Sequence, residues 1–432
     1  MSELNATTLQ QIVGCMADYD PNALPVSKAQ DIIAQLIQPV QCAEKLPIRA
    51  ALGRVLAEDI FSGIDVPACN NSAMDGYALM SGDLPAEGAR RLRIIGTAYA
   101  GIAYAGPAAQ PGECVRIMTG AVIPEYCDTV IPQELTQNAT ETEVSIPAGK
   151  VRRGDNLRLK GEDLSNGKLA LPRGKILRPA DLGLLASLGV AEAPMKRRLR
   201  VAFFSTGDEL RSLGEPLDEG CVFDSNRYTL HGMLTRLGCE LIDMGVVRDD
   251  PEALELALRQ ACENADAVIT SGGVSVGAAD YTKQIMARLG DVAFWAIGMR
   301  PGRPMAFGRI QSNGHSAFLF GLPGNPVAVM VTFYFFARMA LLHMMGAQQT
   351  SLPLIPAVSL NAIRKRPGRT EYQRGIVSIQ ENGQLTVQTT GAQGSGILRS
   401  MSEANCMIIL PDEQGPVQAG DTVRILLFEG LI

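Results

Sequence analysis

The spacing of hydrophobic positions changes from helical to strand-like near residue 60 of the chain. Before that point apolar side chains recur at helical intervals, as from Ala29 to Ile37, and a second short helical pattern covers Arg49 to Glu58. From about Ile60 to Leu171, glycine and proline separate short stretches in which apolar and polar residues alternate. We therefore expect a helical start followed by a β-rich domain.

Beyond Arg200, strand-like apolar stretches alternate with amphipathic helical stretches. The pattern predicts strands at Arg200–Phe204, Leu241–Val247, Ala267–Ile269, Val292–Ile297 and Ala317–Phe320, and helices at Leu230–Leu237, Pro251–Asn264 and Tyr281–Leu289. Strands separated by helices favour βαβ units with right-handed crossovers, and hence a mainly parallel sheet. After Gly346, alternating stretches such as Leu385–Thr389 predict a small C-terminal β domain.

The length of 432 residues indicates several domains, because a single hydrophobic core stops growing at roughly 250–300 residues. We assign residues 1–60 and 168–196 to a helical and linker region, 61–167 to the β-rich domain, 197–347 to the α/β domain and 351–432 to the C-terminal β domain. The expected fold class is multidomain α/β plus β. A central parallel-sheet α/β domain would lie between a helical and β-rich N-terminal region and the small C-terminal β domain.

The composition is that of a soluble globular protein, with 46% hydrophobic and 19% charged residues. The net charge of −6 argues against a nucleic-acid partner, because such binding depends on Lys and Arg that neutralise phosphates. Nine cysteines are spread singly without a CxxC pair, as expected in a reducing cytosol. The N-terminal residues lack the basic start and apolar run of a secretory signal. These features predict a cytosolic protein.

One segment, Val327 to Met345, is apolar over about the length that spans a bilayer. Arg338 and His343 would be costly in hydrocarbon, and Asn325-Pro326 provides the N-cap and first-turn proline of an ordinary globular helix. We therefore predict a buried helix and no membrane contact.

Four loops that follow predicted strands carry the most chemically distinctive residues. They are Ser205–Glu209, Arg248–Pro251, Ser271–Gly277 and Gly321–Pro326. In an open α/β sheet, ligands bind at the carboxyl ends of the strands, where helix N-termini and free loop amides converge. We expect these loops to be neighbours in space.

The third loop has the character of an anion-binding loop. Its glycines and hydroxyl residues precede a predicted helix: Ser271, Gly272, Gly273, Ser275 and Gly277. The sequence matches neither GxxxxGK[ST] nor GxGxxG, so neither an ATP-hydrolysing P-loop nor a dinucleotide fingerprint is supported. A simple glycine turn is the alternative. The three companion loops at the same edge of the sheet favour ligand binding.

Acidic residues also follow the predicted strand ends: Asp208, Glu209, Asp249, Asp250 and Asp280. Carboxylates around a phosphate site would repel the ligand unless a cation intervened, and Mg²⁺ characteristically bridges one or two carboxylates to phosphate oxygens. The sequence therefore predicts bound Mg²⁺. Asp250 and Asp280 also suit helix N-caps, a role that is compatible with ligand binding.

Two arginines, Arg300 and Arg303, follow another predicted strand, and each is followed by a proline that restricts the backbone. Guanidinium groups suit oxyanions, so this segment is a candidate anion site, and solvated surface arginines are the alternative. The three histidines are isolated and show no zinc-binding spacing.

Two polar motifs lie in the β-rich half, NNSAMDGYA at 70–78 and RIMTGA at 116–121. The first contains Asp75, and the second ends a strand with Thr119. Read alone, each fits a turn in which the side chain bonds its own backbone. The first motif is too polar for a core strand, which leaves a functional role open.

Taken in chain order, these motifs resemble those of the molybdopterin molybdenumtransferases, which include the bacterial MoeA-type enzymes and the C-terminal domain of gephyrin. The matching series is NNSAMDGYA, RIMTGA, GEDL, FSTGDEL, DSNR, RDDP, TSGGVSVGAADYT, PGRP, GLPGNPV and QGSG. The resemblance runs from about Ile32 to the end of the chain. Such an ordered series is far more specific than any one motif.

The resemblance implies a Mg²⁺-dependent enzyme of molybdenum cofactor biosynthesis. Adenylated molybdopterin and molybdate would be its substrates, and AMP would be released as molybdenum joins the dithiolene sulfurs. The family also implies an elongated homodimer in which the α/β domain of one subunit faces the β-rich domain of the other, so that active sites are shared. Other proteins of cofactor biosynthesis are further expected partners.

The resemblance also implies site residues. Catalytic roles fall to Asp75, Thr119, Asp163, Glu209, Asp250 and Asp280, of which Glu209, Asp250 and Asp280 would hold the metal. Substrate binding falls to Ser205, Thr206, Ser271, Gly272, Gly273, Ser275, Gly277, Pro323, Asn325 and Pro326. Molybdate binding falls to Arg300, Arg303 and Ser395. Many relatives carry lysines at the two arginine positions, so the charge is kept while the geometry of the contact changes.

Two other functions fit parts of the pattern. Stand-alone domains with a similar α/β core catalyse the preceding adenylyl transfer, but they would not need the NNSAMDGYA motif. A non-catalytic scaffold is the alternative that the likeness to gephyrin allows. Adenylation of free molybdopterin with ATP would indicate the first, and failure to bind AMP or Mg²⁺ would favour the second.

Overall fold

A computed structural model describes residues 8–14, 19–274 and 280–430, and the side chain of Asp280 lies outside that description. The elements of the N-terminal half are α1 Leu9–Gly14, α2 Val26–Leu36, β1 Ala43–Pro47, β2 Ile60–Phe61, β3 Asn71–Ser72, β4 Gly76–Leu79, β5 Ala89–Ala98, β6 Glu113–Ile117, β7 Thr129–Pro132, β8 Glu143–Pro147, β9 Leu157–Arg158, β10 Leu169–Leu171, α3 Pro179–Ser187 and β11 Glu192–Lys196.

The expected helix at Arg49 to Glu58 is wrong. Only Ile48–Ala50 forms a single 3₁₀ turn, and Gly53 follows it with a φ of 71°, a left-handed conformation that ends helical structure. Leu56 then forms an isolated bridge to Met195. The apolar spacing of this segment reflects burial against α3 and β11 rather than a helical face.

The helical and linker region is built from two separate parts of the chain, which are joined by paired strands. β1 pairs antiparallel with β11, and β2 pairs antiparallel with β10. One core is built from both passes of the chain, with Leu56 from the first and Leu177 and Leu185 from the second. Residues 62–168 are therefore an insertion between the two parts of one small folded unit.

The inserted residues 62–168 contain a five-stranded sheet in the order β7-β4-β6-β5-β8. Both faces of the sheet are covered, because Tyr77 and Leu79 pack into one core and Ala78 packs into another. Gly76 at the start of β4 lies opposite Ile117 at the end of β6. The two polar motifs, one before β4 and one after β6, are thereby brought to the same edge.

The central domain has the expected alternation of strands and helices. Its elements are β12 Arg200–Thr206, β13 Leu210–Arg211, β14 Val222–Phe223, α4 Ser225–Leu237, β15 Glu240–Val247, α5 Pro251–Asn264, β16 Ala267–Ser271, α6 Asp280–Leu289, β17 Gly290–Ala296, β18 Met299–Arg300, β19 Pro304–Ser312, β20 His315–Leu322, α7 Pro326–Thr332 and α8 Arg338–Met344. The main sheet has the order β15-β12-β16-β20-β19-β17.

This sheet is parallel from β15 to β20, which agrees with the expectation of a mainly parallel sheet, and its last two strands run antiparallel. β19 and β20 form an antiparallel hairpin, and β17 pairs antiparallel with β19. The hairpin turns at Asn313 and Gly314, whose φ values of 47° and 79° suit the tight turn that Asn-Gly favours. The parallel half contains the strand ends that carry the distinctive loops.

The apolar segment after Asn325 is a helix of the core. It runs from α7 through a π-helical turn at Phe333–Ala337 into α8. Although Pro326–Met344 is long and apolar enough to cross a membrane, 72% of its most apolar window is buried inside the protein. Phe333 and Phe336 are fully buried against the central sheet. The predicted buried helix is confirmed.

The C-terminal domain is a closed barrel built from β21 Ile355–Ser359, β22 Thr370–Ile379, β23 Leu385–Thr389, α9 Arg399–Glu403, β24 Cys406–Leu410 and β25 Thr422–Leu427. Closure follows because β22 pairs with both β23 and β24. The short strand β18 adds to β22, with Arg300 opposite Glu371. The barrel is thus attached directly beside the Arg300 segment.

Candidate active site

A cleft of about 710 Å³ opens at the carboxyl ends of the parallel strands. Residues of all four distinctive loops line it, together with residues from the barrel: Thr206, Gly207, Glu209, Asp249, Ser271, Gly272, Gly273, Arg300, Arg303, Pro323, Asn325, Arg369 and Ser395. The loops are neighbours in space, as strand order in a parallel sheet requires.

The glycine loop passes very close to the end of β12. Gly272 has a φ of 95°, and a Cβ atom placed on it would lie 2.4 Å from the backbone oxygen of Thr206. Glycine is therefore required here for both conformation and space. Ser275 and Gly277, predicted to bind substrate, lie outside the described residues.

Gly272→Ala should destabilise the protein more than Gly53→Ala does. Both glycines have positive φ, but a Cβ atom on Gly53 meets nothing within 4 Å. The additional collision with Thr206 should cost about 1–3 kcal/mol. Thermal unfolding of the two variants measures the difference, and equal unfolding temperatures would contradict the close approach of the loop.

Polar side chains beneath the cleft fix the loops to one another. Ser205 is fully buried, and its hydroxyl donates to Asp224, which also caps α4. Asn226 donates from Nδ2 to Ser271 Oγ at 2.7 Å and to the Gly324 carbonyl at 2.6 Å. Ser205 therefore braces strand β12. Asn226 was missed as a bracing residue, although it stands in the DSNR motif.

One side of the cleft is acidic. Glu209 and Asp249 line it, and the backbone N–H of Asp249 donates to Asp208 Oδ1 at 3.4 Å. Asp250 is instead the N-cap of α5, where its Oδ1 accepts from the N–H groups of Glu252 and Ala253. Asp249 thus lines the cleft, and the capping role of Asp250 is compatible with the ligand role predicted for it. Asp280 begins α6.

The opposite side of the cleft is cationic. Arg300, Arg303 and Arg369 line it, and all three are exposed. Ser395 lies among them, and its carbonyl accepts from the N–H of Val327 at 3.0 Å, which ties the barrel loop to the start of α7. Sequence reasoning missed Arg369, which stands outside the quoted motifs.

Arg374 extends this cationic side into a second pocket of about 320 Å³ that shares Arg300, Pro301 and Gln393 with the cleft. Its side chain is 1% exposed, donates to Ser400 Oγ and the Gly394 carbonyl, and has no ion-pair partner among the described carboxylates. Burial, and secondarily the charge of Arg300, lowers the pKa of Arg374 to about 10. A buried cation of this kind is stabilised by an incoming anion.

Family comparisons cover most of the chain. Residues 24–189 match the MoeA N-terminal region (domain I and II), 202–343 a probable molybdopterin binding domain, and 356–428 the MoeA C-terminal region (domain IV). The molybdopterin molybdenumtransferase of Haemophilus influenzae is 42% identical over 406 residues, which are 93% of this chain and 97% of that protein. The chain belongs to the molybdopterin molybdenumtransferase family.

Other relatives are also similar over most of this chain. The molybdopterin molybdenumtransferase of a Nostoc species is 35% identical over 89% of both chains. The gephyrin of Dictyostelium discoideum is 32% identical across 94% of this chain and 62% of its own length. The crystal structure of a molybdopterin biosynthesis moeA protein from Pyrococcus horikoshii superposes with a TM-score of 0.80 at 29% identity, over 94% of this chain and all of that one. The multidomain fold class is confirmed.

In this member of the family, Asp75 and Thr119 form a pair on the surface of the β-rich domain. Asp75 Oδ1 accepts from the N–H of Thr119 at 2.7 Å and from its hydroxyl at 2.8 Å, which lowers the pKa of the carboxyl. Each residue thus bonds the other rather than its own backbone. Both residues are exposed, as is Asp163, and none of the three lines the cleft of the same subunit.

Proposed function

We propose that this chain inserts molybdenum from molybdate into the dithiolene of adenylated molybdopterin and releases AMP. The observation that carries the proposal is the polarity of one cleft, which has a glycine loop and carboxylates at one side and arginines at the other. A substrate that joins a phosphate-linked nucleotide to a metal-accepting pterin matches both sides. The relatives named molybdopterin molybdenumtransferase support the same activity.

The acidic side suits the adenylate phosphates together with Mg²⁺. Within residues 8–14, 19–274 and 280–430, no three Asp, Glu, His or Cys side chains form a ready metal cage. Mg²⁺ does not need one, because it commonly takes one or two carboxylates and completes its shell with phosphate oxygens and water. Glu209 and Asp249 fit that requirement, and Asp280 and Asp250 remain proposed ligands. The ion would neutralise the phosphate oxygens.

The arginine side suits molybdate. Arg300, Arg303 and Ser395 line the cleft at this side, and the buried Arg374 lies in the pocket that opens from it. Guanidinium groups donate paired hydrogen bonds to oxyanions, and their strength increases where water is excluded. We assign molybdate to this side, with Arg374 as its most desolvated contact.

The proposed reaction needs no protein nucleophile. Hydrolysis of the pyrophosphate link consumes one water and frees AMP, and exchange of one molybdate oxygen for two thiolate sulfurs releases water with the two thiol protons. The protein's part is to hold both reactants and to place fixed charges where the phosphates and molybdate lie.

Exposed apolar side chains support a homodimer with shared sites. Met74 is 41% exposed beside Asp75, and Ile102 is 67% exposed two residues after Ala100, whose Cβ lies 3.7 Å from the position that a Cβ atom on Gly120 would take. On the central domain, Leu213 is 61% exposed and Val222 is 52% exposed beside the Glu209 loop. A second copy that covers both surfaces would bring its Asp75 to the cleft.

The predicted cytosolic location stays a prediction.

The proposal is tested with purified protein, adenylated molybdopterin, Mg²⁺ and either molybdate or tungstate. We expect AMP release that depends on the oxyanion, together with metal retained on the pterin, followed by chromatography and elemental analysis. AMP formation from ATP and free molybdopterin would instead indicate the adenylyl-transfer step. Failure to bind AMP would indicate a scaffold.

Removal of divalent cations should stop the reaction. Chelation with EDTA is expected to lower the rate of AMP release by at least about 100-fold, because unscreened carboxylates then repel the phosphates. Excess Mg²⁺ should restore the rate, whereas a sodium salt at matched ionic strength is the control and should not restore it. A full rate in EDTA would contradict the magnesium assignment.

A further inference from the structure

Tyr281, in the first turn of α6, makes a close contact with the acidic loop between β15 and α5. Its hydroxyl lies 2.6 Å from Asp249 Oδ1 and 2.8 Å from the Asp249 carbonyl oxygen. The hydroxyl of Thr206 lies 3.5 Å from the same carboxylate oxygen. Helix α6 is thereby joined to an acid that lines the cleft.

The hydroxyl of Tyr281 is the donor in both contacts. A phenol carries a proton that it can donate, whereas an ionised carboxylate and a carbonyl oxygen only accept.

The Asp249 carboxylate has few other hydrogen-bond donors among the described residues. The residue is exposed, and Asp208, whose Oδ1 accepts from the Asp249 N–H, carries the same charge. Among the described residues, hydrogen bonds to the Asp249 carboxylate reach Oδ1 from Tyr281 and Thr206 only. Oδ2 is left without a partner there and is available for a ligand.

We propose that Tyr281 is a positioning residue: its hydroxyl holds Asp249 Oδ1, so that the other carboxylate oxygen is presented to the adenylate end of the substrate. This role rests on the function proposed above. Tyr281 acts through Asp249 and does not itself contact the reacting atoms. Tyr281 of the AADYT segment thus has a proposed role in the site in addition to its place in the first turn of α6.

The competing explanation is that Tyr281 only fastens the loop through its contact with the Asp249 carbonyl oxygen. A double-mutant cycle separates the two, because Asp249→Ala removes the carboxylate and keeps the carbonyl. If Tyr281 acts through the carboxylate, Tyr281→Phe loses its effect in the Asp249→Ala background. If it fastens the backbone, the effect persists.

The experiment measures two quantities for wild type, Tyr281→Phe, Asp249→Ala and the double variant. One is the kcat of molybdate-dependent AMP release, and the other is the Kd of AMP with Mg²⁺ by calorimetry. Loss of a hydrogen bond to a charged group should lower kcat and weaken AMP binding about 10-fold in Tyr281→Phe. In the Asp249→Ala background the same change should alter each by less than about 2-fold.

Tyr228→Phe is the matched control, because Tyr228 is an exposed tyrosine on α4 that lines a different pocket. It should leave both quantities unchanged. Equal losses from Tyr281→Phe in the two backgrounds would overturn the proposal, as would wild-type kcat and Kd in Tyr281→Phe. Absence of AMP release from the wild type would overturn the proposed function itself, whereas wild-type turnover with an unaffected Tyr281→Phe would overturn the positioning role alone.

Discussion

Arg374→Met should raise the molybdate concentration for half-maximal AMP release by about 100-fold, since loss of a charged, desolvated contact costs roughly 3 kcal/mol. Arg374 is 1% exposed, and its guanidinium donates to a hydroxyl and a carbonyl but forms no ion pair with the described carboxylates. Glu371 lines the same pocket, but its Oε2 accepts from Gln373. An arriving oxyanion would therefore supply the negative partner that Arg374 lacks among the described residues.

The same feature predicts the effect on stability. An arginine buried without a carboxylate is costly to the folded state, so methionine of similar length should leave the unfolding temperature unchanged or raise it. Arg338→Met is the control: Arg338 is also buried, burial lowers its pKa, and it does not line the cleft or the second pocket. That variant should keep the wild-type molybdate dependence. A similar loss in both variants would show that the effect comes from the fold and not from an anion site.

Much of the central domain was predictable because its strands and helices differ in period and its loops carry glycine, proline and acids. The predicted helix Pro251–Asn264 agrees with α5 at both ends, since Asp250 caps it before a first-turn proline. Strand β19 was missed, and with it the antiparallel hairpin that it forms with β20 through a short Asn-Gly turn. Pairing direction is decided by the turn, which periodicity does not report.

The site was predictable at the level of loops and less so at the level of atoms. Two adjacent acids, Asp249 and Asp250, are equivalent in a motif, and only the structure shows that Asp250 caps α5 and that Asp249 lines the cleft. Arg374 was missed for a different reason. It stands within a strand of the barrel, and its approach to Arg300 depends on the pairing of β18 with β22. That pairing joins two domains that the sequence pattern treats separately.

Asp75→Ala and Glu209→Ala should each abolish activity, yet a heterodimer that contains one subunit of each should recover about half the wild-type rate per dimer. Removal of either acid from a site built on fixed charges should cost at least about 100-fold. Asp75 is exposed on the β-rich domain, whereas Glu209 lines the cleft of the central domain. If each site combines the cleft of one subunit with the Asp75 segment of the other, the mixed dimer contains one intact site and one doubly defective site.

The reciprocal arrangement makes the result unambiguous. A dimer of one wild-type subunit and one subunit that carries both substitutions has no intact shared site. The intact cleft faces a substituted Asp75 segment, and the intact Asp75 segment faces a substituted cleft. Such a dimer should be inactive, although half of its subunits are wild type. Two different affinity tags allow each heterodimer to be purified before AMP release is measured. Activity in the wild-type and double-variant dimer, with none in the complementing pair, would mean that Asp75 serves the cleft of its own subunit and that the shared-site arrangement is wrong.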